Sequence, residues 1–294
     1  MIKVMIVDDS RFMRNLIKNI LEKYEDIKII NESKDGIECL ENLINLAPDI
    51  ILLDIEMPNL DGKHTLKEII KRKIKTKVIM FSTLTKSGSS ETIECLNIGA
   101  YDFLEKPVNP LKLDKIKEEI VNKIKIVNDS TYIVQEKEIK NNGNIVLDKK
   151  YNYSKKEVQN LVLIGCSTGG PNALGKVLEN LNENTNASIL IVQHMPEGDY
   201  ISSLAKNLNR KTTFKVKEAE NNEEIKNGVV YLCPGGKQMK INNNKKIILT
   251  EDFPENGHKP SVDYMFREIS KFVNMFNKVI PIVLTGMGAD GAKG

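Results

Sequence analysis

The sequence predicts an α/β protein of two domains, each a doubly wound parallel sheet, the first of them a (βα)5 unit. Three observations carry this prediction. Short β-branched runs alternate with stretches of helical periodicity from the first residues onward, the rhythm of parallel strands covered by helices on both faces. The rhythm fails between Lys125 and Gln159, where weak periodicity, Asn-Gly turn chemistry and scattered charge mark a linker, and then resumes. The 294 residues also match the length of about two average domains.

Taken in order, Lys3–Val7 is an apolar run that precedes a helical stretch at Arg11–Tyr24, and Ile27–Ile30 precedes Gly36–Leu46. Ile50–Leu53 leads to Asp61–Lys73, Val78–Phe81 to Ser89–Ile98, and Tyr101–Leu104 to Leu111–Ile124. These five strand-helix pairs make residues 1–124 a complete domain. Residues 125–159 are the linker. In 160–294, Leu161–Ile164 runs into a glycine-rich turn and a helix at Asn172–Leu181, and Ile189–Val192 into a helix at Tyr200–Leu208. Strand-like segments follow at Phe214–Val216, Val229–Leu232, Met239–Ile241 and Ile247–Leu249, then a helix at Val262–Val273 and a last strand at Ile280–Leu284.

Composition excludes several classes. Forty-three Lys and Arg against 40 Asp and Glu leave a net +3, too balanced for a nucleic-acid partner or a charged membrane surface. Four cysteines without a CxxC pair imply neither a disulfide framework nor zinc, and fit a reducing cytoplasm. No apolar run approaches the ~20 residues of a membrane helix, and no signal peptide opens the chain, so neither insertion nor export is expected. Only three histidines, His64, His194 and His258, are available to any imidazole-dependent mechanism.

Ligands of open parallel sheets bind beyond the carboxyl ends of the strands. In the first domain those ends carry Asp8 and Asp9, then Asp54-Ile55-Glu56, then Ser82-Thr83, and finally Lys106. Converging carboxylates repel unless a cation sits among them, and hard oxygen ligands favour Mg2+. A lysine and a hydroxyl beside them suit a phosphoryl group. Residues 1–124 resemble the receiver domain of response regulators, with DDS at 8–10, LLDIEMPNLDG at 52–62, MFST at 80–83 and EKP at 105–107 matching in order and spacing. The resemblance implies that Asp54 is the phosphoacceptor and that Asp8, Asp9, Asp54 and the Glu56 backbone carbonyl hold Mg2+. It further implies that Ser82 and Lys106 contact the phosphoryl oxygens, that Phe103 is the aromatic switch residue, and that a histidine kinase is the phosphodonor.

In the second domain Gly165-Cys166-Ser167-Thr168-Gly169-Gly170-Pro171 links a strand to a helix. It matches the G-x-S-x-G nucleophile elbow, approaches a dinucleotide fingerprint, and is also compatible with a plain glycine turn. The next strand ends in Val192-Gln193-His194, where a dinucleotide site requires an acid. A histidine there suits a general base for Ser167. The loop after the last strand contains a single carboxylate, Asp290, as the third member. The chain order Ser, His, Asp differs from the orders of α/β-hydrolases, chymotrypsin and subtilisin.

Residues 160–294 resemble the catalytic domain of CheB-type chemotaxis methylesterases through IGCSTGGP at 164–171, VQHMP at 192–196, CPGGKQM at 233–239, HKPSVD at 258–263 and LTGMGADGAKG at 284–294. The resemblance implies a doubly wound α/β esterase domain without a cofactor. Ser167 is then the nucleophile toward glutamate methyl esters on chemoreceptor cytoplasmic helices, with glutamine deamidation by the same chemistry, and Met287 offers a backbone oxyanion donor. It implies gating, the unphosphorylated receiver covering the Ser167 groove. The family pattern continues past the Asp290 loop, so the chain is expected to lack its C-terminal end. The alternative is a non-catalytic phosphate-accepting module that docks on receptors.

Overall fold

The computed structural model describes residues 1–83, 86–106, 113–130, 157–181, 185–286 and 288–294. The chain forms two compact units, Met1–Asn141 and Asn142–Gly294.

The first unit has strands β1 Ile2–Val7, β2 Ile27–Ser33, β3 Ile50–Asp54, β4 Lys77–Ser82 and β5 Asp102–Glu105. They pair in parallel in the order β2-β1-β3-β4-β5. Helices α1 Arg11–Leu21, α2 Gly36–Leu46, α3 Gly62–Lys71, α4 Lys86–Ile98 and α5 Leu113–Asp129 alternate with them. Strands buried on both faces have no polar side to show, which is why β3 reads Ile-Ile-Leu-Leu before its terminal Asp and is buried throughout. One face packs Val4, Ile6, Leu52 and Ile79 against Ile17 and Leu21 of α1 and Ile120 and Ile124 of α5. The helix starts are set by side-chain caps: Ser10 accepts from the Met13 amide, Asp35 from Glu38 and Asp61 from His64.

Helix α5 runs to Asp129, five residues into the stretch expected to be linker. The reason is tertiary. The Lys77 ammonium reaches from β4 to donate to the carbonyls of Val127, Asn128 and Ser130 at 2.7, 2.9 and 2.7 Å, satisfying the helix end with a half-buried positive charge. Most of the remaining linker, 131–156, lies outside the described residues.

The second unit contains β6 Asn160–Cys166, β7 Ser188–Gln193, β8 Lys215–Glu218, β9 Val229–Leu232 and β12 Lys278–Val283 in a five-stranded parallel sheet ordered β12-β6-β7-β9-β8. Strands β10 Gln238–Ile241 and β11 Ile247–Thr250 form a separate antiparallel pair. The helices are α6 Gly170–Glu179, α7 Tyr200–Lys211 and α8 Val262–Ser270, the last followed by a 3-10 turn at Val273–Met275. The core joins Leu161, Leu163, Leu190 and Val192 of the sheet to Met239 and Ile241 of the hairpin and Met265 and Ile269 of α8. At Gly165 a Cβ would stand 2.3 Å from a Val262 methyl, so only glycine lets the end of β6 approach the start of α8. No helix among the described residues is long and apolar enough to cross a membrane.

Candidate functional site

Each unit places chemistry at the carboxyl ends of its strands. In the first, Asp8 follows β1, Asp54 ends β3, Ser82 ends β4, and Lys106 follows β5, its amide bonded to the Ser82 carbonyl at 2.8 Å. The Lys106 ammonium lies 2.9 Å from Asp8 Oδ2 and 2.6 Å from Asp54 Oδ2. Burial pushes the Asp54 carboxyl up to about 6, against the pull of Lys106 toward ionisation. Asp8, Asp9 and Asp54 each offer a carboxylate oxygen, and these atoms lie within 4.8 Å of one another. Hard oxygens at that spacing, with Asp9 exposed and the other two buried, fit a divalent cation such as Mg2+. The Glu56 amide donates to Asp54 Oδ1 at 3.3 Å, which turns the chain over the pocket. A cavity of about 440 Å3 opens beside it, lined by Asp9, Glu56, Asp61, His64 and Glu91 among others.

The hydroxyl of Ser82 is engaged elsewhere. It accepts from Thr92 Oγ1 of α4 at 2.6 Å and contacts the Gly88 carbonyl at 3.4 Å. Phe103 is buried, with the Lys123 ammonium donating to its carbonyl at 2.5 Å and lying 5.2 Å from its ring centre. Lys123 also pairs with Asp102 and Glu119. His64 is exposed and bonded to its own helix cap, Asp61.

In the second unit, Ser167 follows β6, His194 follows β7, and Asp290 lies in the loop after β12. Because these three strands are neighbours in the sheet, residues up to 123 positions apart arrive at one edge. His194 Nε2 meets Asp290 Oδ2 at 2.8 Å. His194 Nδ1 is buried without a hydrogen-bond partner among the described residues. The His258 ring stacks on that of His194, centroids 3.9 Å apart at 13°. Met287 lies outside the described residues.

Asp290 is the most heavily bonded side chain of the site. The amides of Val262 and Asp263, at the start of α8, donate to it at 2.7 and 3.1 Å, the Ser261 hydroxyl at 2.8 Å and Asn256 Nδ2 at 2.9 Å. The carboxylate thus sits on a helix N-terminus, where unpaired N–H groups and the helix dipole favour negative charge. Burial opposes its ionisation, but His194, the Val262 amide, Asn256 and the Asp263 amide outweigh it and hold the carboxyl well below the usual range. The loop is tied down further: Asp263 Oδ1 accepts from the amides of Lys293 and Gly294, and Ser167 N donates to the Thr285 carbonyl.

Ser261, Asn256, Thr92 and Gln193 hydrogen-bond to residues of the candidate sites and are not singled out by the sequence pattern. Ser261 had a signal, a serine immediately before the helical run of α8, and Asn256-Gly257 a turn signal. Gln193 lies inside the VQHMP match at 192–196 without a role attached to it, and Thr92 had no signal.

A parallel-sheet unit with an aspartate-lysine pocket, joined in one chain to a parallel-sheet unit presenting serine, histidine and aspartate at adjacent strand ends, defines a response regulator whose output domain is a hydrolase. The comparisons agree. Residues 4–118 match the response regulator receiver domain model and residues 162–294 the CheB methylesterase model. A protein-glutamate methylesterase/protein-glutamine glutaminase from Methanococcoides burtonii is 41% identical over 300 residues, covering 100% of this chain and 84% of that protein. Its counterpart from Bacillus subtilis is 39% identical over 307 residues with the same coverages, 100% and 84%. The crystal structure of the Thermotoga maritima CheB methylesterase catalytic domain matches with 39% identity and a TM-score of 0.43, over 46% of this chain and 71% of that one. The chain belongs to the CheB family of protein-glutamate methylesterases/protein-glutamine glutaminases.

Proposed function

We propose that this protein is a phosphorylation-activated methylesterase that hydrolyses glutamate γ-methyl esters on the cytoplasmic helices of chemoreceptors, and deamidates glutamines there by the same route. The observation that carries this is the His194–Asp290 pair at 2.8 Å, formed between the end of β7 and the loop after β12, the two strands that flank β6 and Ser167. An ionised Asp290 places the proton on Nε2, so Nδ1 presents the lone pair. Ser167 Oγ attacks the ester carbonyl carbon while its proton passes to His194 Nδ1. The imidazolium so formed is balanced by Asp290. Collapse of the tetrahedral adduct breaks the bond to methoxide, which leaves as methanol with the proton from His194. Water then attacks the acyl-Ser167, gives its proton to His194, and releases glutamate as Ser167 recovers its own. Backbone N–H groups at the start of α6, with that of Met287, are the oxyanion donors of this reading. No cofactor is assigned to this half.

In the receiver half, Asp54 takes the phosphoryl group from a histidine kinase: an O–P bond forms at its carboxylate and the P–N bond to the donor imidazole breaks. Asp8, Asp9 and Asp54, with the Glu56 carbonyl, are the residues that would hold Mg2+, which supplies positive charge against the phosphoryl oxygens. Lys106 follows the new dianion, and Ser82 turns its O–H from the Gly88 carbonyl of α4 to a phosphoryl oxygen, altering the hold on α4; Phe103 is the aromatic that repacks with it. The reading places the protein in the cytoplasm and assigns it neither a nucleic-acid partner nor a membrane-inserted segment. The test is methanol release from a receptor cytoplasmic fragment carrying glutamate γ-methyl esters, with and without phosphodonor. Release that phosphodonor increases and that Ser167→Ala abolishes supports the reading, and undiminished release by Ser167→Ala overturns it.

A further inference from the structure

Parallel strands diverge beyond their last ladder bond, and carbonyls past that point lose their partners. For β6 and β7 the last bond runs from the His194 amide to the Cys166 carbonyl at 3.0 Å. The next carbonyls on the two strands are those of Ser167 and His194. One side chain reaches both, and the Ser167 carbonyl accepts from the Gly170 amide at 2.8 Å as well. Gln193, the terminal residue of β7 and 2% exposed, donates from Nε2 to the Ser167 carbonyl at 3.0 Å and to the His194 carbonyl at 3.1 Å. Its Oε1 faces Cys166 Sγ at 3.0 Å, which fixes the orientation of the amide. Every polar atom of this side chain therefore has a partner, and two of its three partners are the backbones that carry nucleophile and base.

We propose that Gln193 is a positioning residue whose carboxamide clamps the Ser167 and His194 backbones at the spacing their proton transfer requires. It touches no substrate. Its effect runs through geometry, since a catalytic group displaced by ~1 Å costs on the order of 10²-fold in rate. Hydrophobic burial alone does not explain it: an apolar residue of similar length would fill the space with no desolvation cost, but it would take the amide donor from the part-buried His194 carbonyl and leave the Ser167 carbonyl held by the Gly170 amide alone. The neighbouring chain is shaped around the clamp as well. A Cβ at Gly170 would lie 1.9 Å from Gln193 Oε1, so the absence of a side chain there is what admits the amide. Cys166, buried and with its thiol pushed up by burial, is here an amide anchor.

This inference rests on Ser167 and His194 being nucleophile and base, so wild type and Ser167→Ala are measured alongside. In the full chain with phosphodonor, Gln193→Met is expected to lower kcat on methylated receptor fragment by 10- to 100-fold with KM within twofold. Gly170→Ala, which pushes the amide aside without removing it, is expected to lower kcat in the same sense. The double variant is then no worse than the poorer single one, because both act on one clamp. Cys166→Ser, which keeps a donor to Oε1, is expected to hold kcat within threefold. The proposal is overturned if Gln193→Met retains wild-type kcat, if the losses of the two variants multiply, or if kcat falls only in proportion to folded protein measured by near-UV circular dichroism. Should Gln193→Met not fold, Gly170→Ala and Cys166→Ser decide: wild-type kcat in Gly170→Ala, or a Cys166→Ser loss as deep as that of Gly170→Ala, overturns the clamp. Wild-type activity abolished by Ser167→Ala but untouched by Gln193→Met rejects the clamp alone, whereas activity that survives Ser167→Ala rejects the underlying reading.

Discussion

Replacing Asp290 by asparagine tests the catalytic geometry most directly, because five donors converge on its two oxygens. Asparagine offers one acceptor oxygen and one NH2 group in their place. With NH2 at the Oδ2 position it faces the Val262 amide and His194 Nε2; the ring relieves the clash by moving its proton to Nδ1, the atom that must accept from Ser167. With NH2 at the Oδ1 position it meets Asn256, Ser261 and the Asp263 amide, and of these only the Ser261 hydroxyl can turn to accept. In either orientation the negative charge that balances the imidazolium is gone. A wrong tautomer and a lost counter-charge together are expected to reduce kcat by on the order of 10³–10⁴, ~4–5.5 kcal/mol in barrier height.

The same change should cost about 2 kcal/mol of stability at pH 7, the scale of charge-assisted bonds at a helix N-terminus. The sign with pH follows from the depressed carboxyl. Its folded value lies below the ordinary 3.8, so the contribution is complete above 3.8 and is lost as pH falls through the folded value. Urea unfolding of wild type and variant should therefore differ most near neutrality and converge in acid. Methanol release at saturating methylated receptor fragment reads the catalytic arm. A variant kcat within tenfold of wild type at pH 7 would refute the role of Asp290, and a stability gap that widens in acid would refute the electrostatic argument.

Four further outcomes are expected. Asp54→Asn should remove the rise in esterase rate on adding a phosphodonor while leaving the basal rate, and equal stimulation of the variant rejects gating through Asp54. Chelating divalent cations should block phosphorylation of Asp54 by a small-molecule phosphodonor, read by phosphoprotein electrophoresis; unimpaired labelling in excess EDTA removes Asp8 and Asp9 from a metal role. Lys77→Met, which takes away the ammonium from three carbonyls at the end of α5, should destabilise the receiver unit by about 2 kcal/mol in chemical unfolding, against a change under 0.5 kcal/mol for exposed Lys71→Met. Burial raises all four thiols, those of Cys39 and Cys95 to about 12, so native protein should be inert to a thiol-disulfide reagent at pH 8 and react fully once unfolded.

Much of this architecture was legible because it is local. Gly36–Leu46 and Val229–Leu232 are bounded in the structure as their periodicity places them, since an N-cap aspartate or a flanking turn is written within a few residues. Other ends moved. Arg11–Leu21 stops three residues before Tyr24, and Val262–Ser270 three before Val273, where the chain passes into a 3-10 turn. Helix α5 outlasts its expected end because Lys77, some fifty residues earlier, satisfies its carbonyls. The β10–β11 pair read as strands but gave no sign that it stands apart from the parallel sheet.

By itself the sequence determined the two αβ rhythms, the break between them, and which side chains stand at strand ends: Asp8, Asp54, Ser82 and Lys106 in one unit, Ser167 and His194 in the other. These follow from spacing along the chain, and the chain carries spacing directly. Only the tertiary structure decided that β12, β6 and β7 are neighbours, which brings His194 to an aspartate 96 residues away. It alone decided that this aspartate rests on the first turn of α8 and that Gln193 bridges the backbones of Ser167 and His194. Strand order and helix docking are set by the burial of whole faces, summed over many contacts. A hydrogen bond across them has no signature in the residues that make it.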